Sequence, residues 1–355
     1  MTAAAALPTP ATSPLESARE QMLAAFVTEL NRARLRYCLL SGFREEDRAE
    51  SSDVDFMVVP EQAPLIAPLL TNVARYTKAR LVQAIPHETG ACYFALAKQV
   101  GDEVAYLHPD CTTDYRRDGR MWLEADEMLA RRRKVGASYV PSSPDEFIYY
   151  LTKKVLKQHI EPCDVRRLRI LYAVAPEESS DNLRRFWCST TVASITSAVL
   201  RGDIAWWQRS MGSLLGELLA SDRVEGPLRR SLHHAHELRR RISRMMRPTG
   251  ASIVVYGGDP AWRSELATTL LENLRPAFRH AFACDDDMEF SQGREWYARI
   301  HSTVVLHATS AHKTSFFSPT DDEFGVNADQ HHAASATHQA LSWLERRAIR
   351  RLAGA

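Results

Sequence analysis

The stretch Asp53-Val54-Asp55-Phe56-Met57-Val58-Val59 constrains this chain more than any other. Two carboxylates alternate with an apolar residue and run directly into an apolar segment. In a strand, successive side chains point to opposite faces, so Asp53 and Asp55 share one face and Val54 and Phe56 the other. Two acids side by side repel each other, and a cation must offset that repulsion. Carboxylate oxygens suit a hard divalent ion such as Mg²⁺. Upstream, Arg36-Tyr37-Cys38-Leu39-Leu40 reads as a second strand that ends in the small turn Ser41-Gly42, and a polar loop, 44–51, follows. An Asp-x-Asp pair is also a common loop pair or helix cap. A third carboxylate on a later strand decides between these readings.

The surrounding pattern is α/β. Ser13-Pro14 reads as a cap with proline in the first turn of a helix that runs to about Arg34. A second amphipathic helix is expected over Glu61–Ala79, then strands near 80–85 and 91–100, with Gly101-Asp102 as a hairpin turn. The next strand, Glu103 to Asp110, ends in the acid the pattern needs. Pro109 cannot donate to a sheet ladder, which places this strand at an edge or ends it there. Asp114 competes for the same role, and Asp110 is preferred because a strand end fixes a ligand better than a turn does. Arg116, Arg117 and Arg120 follow as a basic cluster suited to phosphate, since guanidinium groups bind it bidentately and stay charged. The alternative for these three is a solvated turn with a structural Arg-Asp pair. Ser142 or Ser143 with Pro144 begins a helix with Asp145 and Glu146 in its first turn. Its apolar side is Phe147, Ile148, Leu151, Val155 and Leu156, and Lys153, Lys154 and Lys157 occupy other positions.

Residues 161–247 read as helical, with helices expected over 163–174, 181–200, 204–219 and 227–246. Trp206, Trp207, Met211, Leu214, Leu215 and Leu218 fit a packed helix face. His233 and His236 share a face at i, i+3, where a polar surface is the simpler reading than a metal pair. From Pro248 the pattern changes. Ala251–Tyr256 is a buried-type strand, followed by Gly257-Gly258-Asp259-Pro260-Ala261-Trp262-Arg263-Ser264 and a helix expected over 265–274. Strand, glycine loop and helix is the context of a phosphate-binding P-loop. Trp262 stands where that motif has its second glycine and Arg263 where it has lysine, and Pro260 removes an amide donor. Segments 281–287 and 302–307 read as further strands, Asp285-Asp286-Asp287 as a solvated acidic turn, and 333–352 as a final helix.

With 355 residues there is room for two or three domains: a leader over 1–14 expected to be disordered, an α+β domain over 15–160, a helical domain over 161–247 and a small α/β domain over 248–355. The formal net charge of +1 gives no global argument for a nucleic-acid or membrane partner. Six cysteines are scattered without CxxC spacing, as in reduced cytoplasmic proteins. No apolar run reaches membrane-spanning length.

Strand, Ser41-Gly42, loop, Asp53-x-Asp55 and a later Asp110 together resemble the nucleotidyltransferase fold of the DNA polymerase β type, over roughly 24–159. That resemblance implies a two-metal Mg²⁺ site at Asp53, Asp55 and Asp110. It implies phosphate contacts from Ser41 and Gly42, and a lysine from the following helix, assigned to Lys154. The order Ser-Gly departs from the usual Gly-Ser or Gly-Gly. The tail from Gly257 resembles an eroded P-loop of thymidylate kinase-like proteins. The combination resembles bacterial two-part proteins encoded with surface-polysaccharide genes. The implied activity is transfer of a nucleoside monophosphate from a nucleoside triphosphate to an acceptor that the sequence does not name. Phosphotransfer through the C-terminal loop and a catalytically degenerate assembly protein are the alternatives.

Overall fold

The structure, a computed structural model, describes residues 13–41, 53–88, 90–117, 120–221, 227–246, 249–285, 302–309 and 323–353. Gly42, the loop 44–51 and Asp286-Asp287 lie outside the described residues, as does 1–12 of the expected leader. Ser13 and Pro14, its last two residues, are structured. They cap and begin helix α1 (Pro14–Arg32) through a capping box with Glu16.

The first unit is a five-stranded sheet of β1 (Tyr37–Leu39), β2 (Asp53–Val58), β3 (Arg80–Glu88), β4 (Ala91–Val100) and β5 (Glu103–Thr112), in the order β1-β2-β5-β4-β3. The fold class is α/β, with mixed strand directions here: β2 runs parallel to β5, and the other pairs are antiparallel. Alternation divides the sheet into two faces. Val54, Phe56 and Val58 of β2 join Phe94, Leu96, Ala105 and Leu107 in one core beneath α1 and helix α2 (Ile66–Thr77). The helix expected over 61–79 is split. Pro60–Leu65 is a 3-10 segment containing Pro64, and α2 starts only at Ile66. A proline inside a helix removes a backbone bond and crowds the preceding turn.

Strand β5 corrects a second expectation. It is central, between β2 and β4, and it continues through Pro109 to Thr112. The ladder to β4 records Leu96↔Leu107 and Tyr93↔Asp110 but no pair at His108 or Pro109 between them. The sheet therefore tolerates proline by omitting rungs locally, while Val54↔Pro109 keeps the parallel register with β2.

The other sheet face is shared by two further units. Beyond β5, the ribbon β6 (Tyr115–Arg117) and β7 (Arg120–Leu123), helix α3 (Ala125–Ala130) and the hairpin β8 (Arg133–Val135) and β9 (Ser138–Val140) lead to helix α4 (Ser143–Lys157). Helices α5 (Pro162–Val174), α6 (Pro176–Arg184) and α8 (Ile204–Ala220) pack on α4, α7 (Ser189–Arg201) packs on those three, and their core includes Cys38 and Met57 from the sheet. The single helix expected over 181–200 is two. The chain breaks at Phe186-Trp187, both buried, with Trp187 Nε1 donating to the Leu214 carbonyl at 3.0 Å. Helix α9 (Pro227–Met246) follows.

The C-terminal unit is an all-parallel four-stranded sheet of β10 (Ala251–Tyr256), β11 (His280–Asp285), β12 (Thr303–Thr309) and β13 (Glu323–Asn327), in the order β11-β12-β10-β13. Helices α10 (Pro260–Leu274) and α11 (Ala333–Ala353) flank it. Its core is continuous with Val82, Ala95, Ala97 and Tyr106 of the first sheet. Gln83 Nε2 donates to the Thr249 carbonyl at 3.1 Å, and Arg80 pairs with Glu345 at 2.7 Å, which ties the two sheets together. One face of the first sheet thus carries the helical unit at its β1-β2 end and the C-terminal unit at its β3-β4 end. Asp53, Asp55 and Asp110 project from that same face.

Candidate active site

Register brings the acids together. Asp55 on β2 is paired directly with Asp110 on β5, and Asp53, two residues earlier, is paired with His108. The parallel strands therefore set three carboxylates on one face, at the wall of a cleft of about 480 Å³. Asp53, Asp55, Asp110 and Glu88 supply its acids. Arg116, Arg117, Lys153, Lys154, Lys157 and Arg167 supply its bases.

Asp55 is the best-held of the acids. Its Oδ2 accepts from Ser41 Oγ at 2.7 Å and is ion-paired with Lys153 Nζ. Its backbone carbonyl accepts from the Leu40 amide at 2.7 Å, which docks the Ser41 turn onto β2. Burial alone would raise its pKa, but Lys153 and the Ser41 hydroxyl hold the carboxyl below the usual carboxylate range. Lys153, likewise buried, is kept charged by Asp55, which raises its pKa. Asp110 behaves oppositely. Burial, then the negative charge of Asp55 and, more weakly, of Asp53, push its carboxyl up to about 8 against the opposing pull of Lys153. Asp53 is more exposed and lies 3.3 Å from His108 Nδ1. Tyr93 and Tyr106 each stack on the His108 ring with centroids 5.5 Å apart.

The bases come from two elements. Tyr149, Lys153 and Lys157 recur at i, i+4 along α4, as do Tyr150 and Lys154, so one side of the helix presents aromatic rings and ammonium groups to the cleft. Lys153 Nζ lies 5.6 Å from the Tyr149 ring centroid. Burial and the neighbouring Lys153 lower the pKa of Lys157. Lys154, the lysine expected to serve this site, lines the cleft but pairs with Asp164 Oδ1 at 2.8 Å. The residue on the acidic strand is instead its neighbour Lys153. Arg167 of α5 lies over the Tyr150 ring at 4.3 Å and pairs with buried Glu146 at 3.0 Å.

The three expected arginines separate. Arg116 and Arg117 of β6 line the cleft, and Arg116 also pairs with Asp114 at 3.2 Å. Arg120 does not line the cleft, and its Nη1 donates to the Leu219 carbonyl at the end of α8. Asp114, the rival third acid, is a turn residue. Its Oδ1 accepts from the Ala125 amide at 3.1 Å, and it does not line the cleft. Ser41 lines the cleft beside Asp55, and its partner Gly42 lies outside the described residues.

The donor set fits a hard divalent cation in its chemistry, with carboxylate oxygens from adjacent strands and a buried acid, Asp110, that a cation would ionise. Lys153 stands on Asp55 Oδ2, and the three aspartates are not drawn into one tight cluster. Among the described residues, the ligand atoms that do lie within 4.8 Å of one another belong to Glu161, Cys163 and Asp164. Asp164 there is taken up by Lys154 and by the Tyr150 hydroxyl. Among the described residues, His233 and His236 belong to no such group.

The C-terminal loop departs from the expected geometry. Helix α10 starts at Pro260 rather than near 265, so only Gly257-Gly258-Asp259 remain as loop. Asp259 Oδ1 accepts from the amides of Ala261 at 2.9 Å and Trp262 at 3.4 Å, the donors that would otherwise face an anion. Arg263 Nη1 turns back to the carbonyls of Gly257 and Gly258. At Gly257, with φ of +74°, an added Cβ would meet the Asp329 carboxylate at 2.6 Å. The Asp329 carboxylate thus closes over Gly257, while Gly258, Asp259, Trp262 and Asp329 line an open cavity of about 320 Å³ beside it.

Sequence reasoning missed Lys153, Lys157, Arg167, Glu88 and the two tyrosines. The i, i+4 repeat of Tyr and Lys on α4 is the signal that could have found four of them. Comparison with protein-family models, with curated proteins and with solved structures returned no match. No helix among the described residues is long and apolar enough to cross a membrane.

Proposed function

We propose that the cleft transfers a nucleoside monophosphate from a nucleoside triphosphate to an acceptor hydroxyl, with Mg²⁺ as the cation. The observation that carries this reading is the register Asp55↔Asp110, with Asp53 on the same face, opposite six basic side chains in one cleft. A carboxylate wall facing a basic wall suits a polyphosphate that arrives with a divalent cation. Asp53, Asp55 and Asp110 would hold that cation. When bound, it supplies charge neutralisation at the attacking and leaving oxygens of an in-line displacement.

The remaining roles belong to this chain's own groups. Ser41 fixes the rotamer of Asp55 by its 2.7 Å hydrogen bond. Lys153, Lys157, Arg116 and Arg117 bind phosphate oxygens and orient the triphosphate, which lowers the entropic part of the barrier. Asp110 keeps a proton on its carboxyl near neutral pH while the cleft holds no cation.

A second reading draws on Lys153. Its ammonium neutralises Asp55 directly, so the cleft could bind an anionic ligand and catalyse nothing. One experiment separates the two. Protein is incubated with each labelled nucleoside triphosphate and Mg²⁺, and both the protein and small-molecule acceptors are analysed by mass. The transfer reading requires a nucleotidylated product that Asp55→Ala abolishes. Full activity in a variant with Asp53 and Asp55 both changed to alanine would refute it. Nucleotide binding without any product would favour the second reading. A surface-polysaccharide acceptor is one class to include among the substrates.

A further inference from the structure

Helix α9 carries its polar side toward the protein and its apolar side toward solvent. His233, Glu237, Arg240 and Arg244 recur at steps of four, three and four and so share one face. These are the half-buried residues of its 231–246 span. Glu237 pairs with Arg240 at 2.6 Å, Arg240 Nη1 reaches the Pro86 carbonyl at 3.5 Å, and Arg244 Nη2 reaches Ser302 Oγ at 3.4 Å. The opposite side carries Leu238, Ile242, Met245 and Met246, which are 60%, 45%, 49% and 72% exposed, with Leu232 one turn and a half before them. Apolar stripes of helices ordinarily face the core. Here the stripe is turned outward along the helix, and contiguous exposed apolar surface marks an interaction site.

Charge identifies the partner. The helix contains Arg229, Arg230, Arg239, Arg240, Arg241 and Arg244 against the single acid Glu237, in a chain whose formal net charge is only +1. Arg239 and Arg241 are exposed beside the stripe. We propose that α9 lies on an anionic lipid surface. Leu238, Ile242, Met245 and Met246 enter the headgroup boundary, and the flanking arginines meet lipid phosphates. A strong apolar stripe, a basic polar face and low overall hydrophobicity are the marks of a helix that lies in the interface plane rather than spanning it. A second copy of the chain is a poorer occupant, because two arginine-rich helices face to face would juxtapose like charges. The helix also touches the first sheet next to the cleft. Pro86, which accepts from Arg240, is two residues from the cleft residue Glu88. Docking through α9 would hold that rim of the cleft near the lipid.

The test is co-sedimentation of the full chain with vesicles of phosphatidylcholine alone and of phosphatidylcholine containing phosphatidylglycerol, at low and high salt. Light scattering measures the oligomeric state in parallel. The protein should pellet with the anionic vesicles and not the neutral ones, and salt should weaken the binding. Ile242→Glu with Met245→Glu should reduce the affinity at least tenfold. Arg239→Gln with Arg241→Gln should reduce it roughly fivefold per arginine. All four side chains are exposed, so the melting transition should not move. The proposal is overturned if no protein pellets with anionic vesicles, if neutral vesicles bind equally well, or if neither double variant weakens binding. It is also overturned by a dimer that the Ile242/Met245 variant splits without any vesicle binding, or by binding only to an acidic protein.

Discussion

Asp110→Asn should stabilise the protein, and the gain should grow as pH rises. Burial and the charges of Asp55 and Asp53 push the Asp110 carboxyl up to about 8 in the folded chain, against 3.8 for an unperturbed aspartate. Between those values the native state holds a proton that the unfolded chain has lost. Stability therefore falls with rising pH across this window, by about 1.4 kcal/mol per pH unit. Below the window both states are protonated and above it both are ionised, so the slope vanishes at each end. Asparagine is close to isosteric and never ionises. From about pH 5.5 to about pH 7.5 the variant should gain up to about 2.7 kcal/mol on the wild type. Partial solvent access to the cleft brings the expected figure to about 1–2 kcal/mol. Asp55 has the opposite linkage. Its pKa is depressed, so its contribution is present above the unfolded value and lost as pH falls through the folded one. It is present in both proteins and largely drops out of the difference. The assay is urea unfolding of both proteins at the two pH values with divalent cations removed, read by tryptophan fluorescence. Added Mg²⁺ should narrow the gap, because a cation favours ionised Asp110. A difference between variant and wild type that stays constant from about pH 5.5 to 7.5 would refute the electrostatic account of the acidic wall.

Lys153→Met should cost about 3 kcal/mol, the lower end for a broken buried pair, because each partner keeps roughly a fifth of its surface in solvent; part of that loss should return on adding Mg²⁺ in a thermal melt. Lys154→Met should cost about 1 kcal/mol in the same melt, since Asp164 retains the Tyr150 hydroxyl. Phe56→Ala removes a fully buried ring that meets Phe26 edge-on at 5.1 Å, and urea unfolding should register a loss of about 3–5 kcal/mol. Asp259→Ala removes the cap of α10 and should cost about 1 kcal/mol by the same measurement.

Local features of this fold were legible wherever one stretch of sequence determines them. The alternation in 53–58 gives a strand whose acids face away from Val54 and Phe56. Ser13, Pro14 and Glu16 give a capping box, and Gly101-Asp102 gives the turn between β4 and β5. The site was less legible because it is made by register and by helix roll. That Asp110 would sit beside Asp55 depends on β5 inserting parallel to β2, and the proline at 109 argued for an edge instead. Lys153 and Lys154 are adjacent in sequence and lie roughly 100° apart around α4. Which one reaches Asp55 is set by how Phe147, Ile148, Leu151 and Val155 seat the helix against the core, which composition does not reveal. The C-terminal loop failed as a motif for a local reason. Asp259 caps the helix at Pro260, and a cap immediately after the glycine pair leaves too little chain to cradle a phosphate.

The cleft is divided by origin as well as by charge. Its acids stand on β2, β3 and β5, and its bases on β6, α4 and α5. A lone cation meets six basic side chains across the gap, and a lone polyphosphate meets four carboxylates. On the proposed reading, each ligand therefore lowers the electrostatic cost of admitting the other, so cation and triphosphate bind with positive coupling. Lys153 is the pivot of that coupling. While the cleft holds neither ligand it neutralises Asp55, and a cation held by that carboxylate would leave the Lys153 ammonium for the phosphate side of the same cleft. On that reading the pair that offsets repulsion in the resting protein would become one ligand for each half of the incoming complex. Lys153 stands on α4 one turn from Tyr149 and one turn from Lys157, which line the same cleft, so it is the basic side chain of α4 that already reaches the acidic wall.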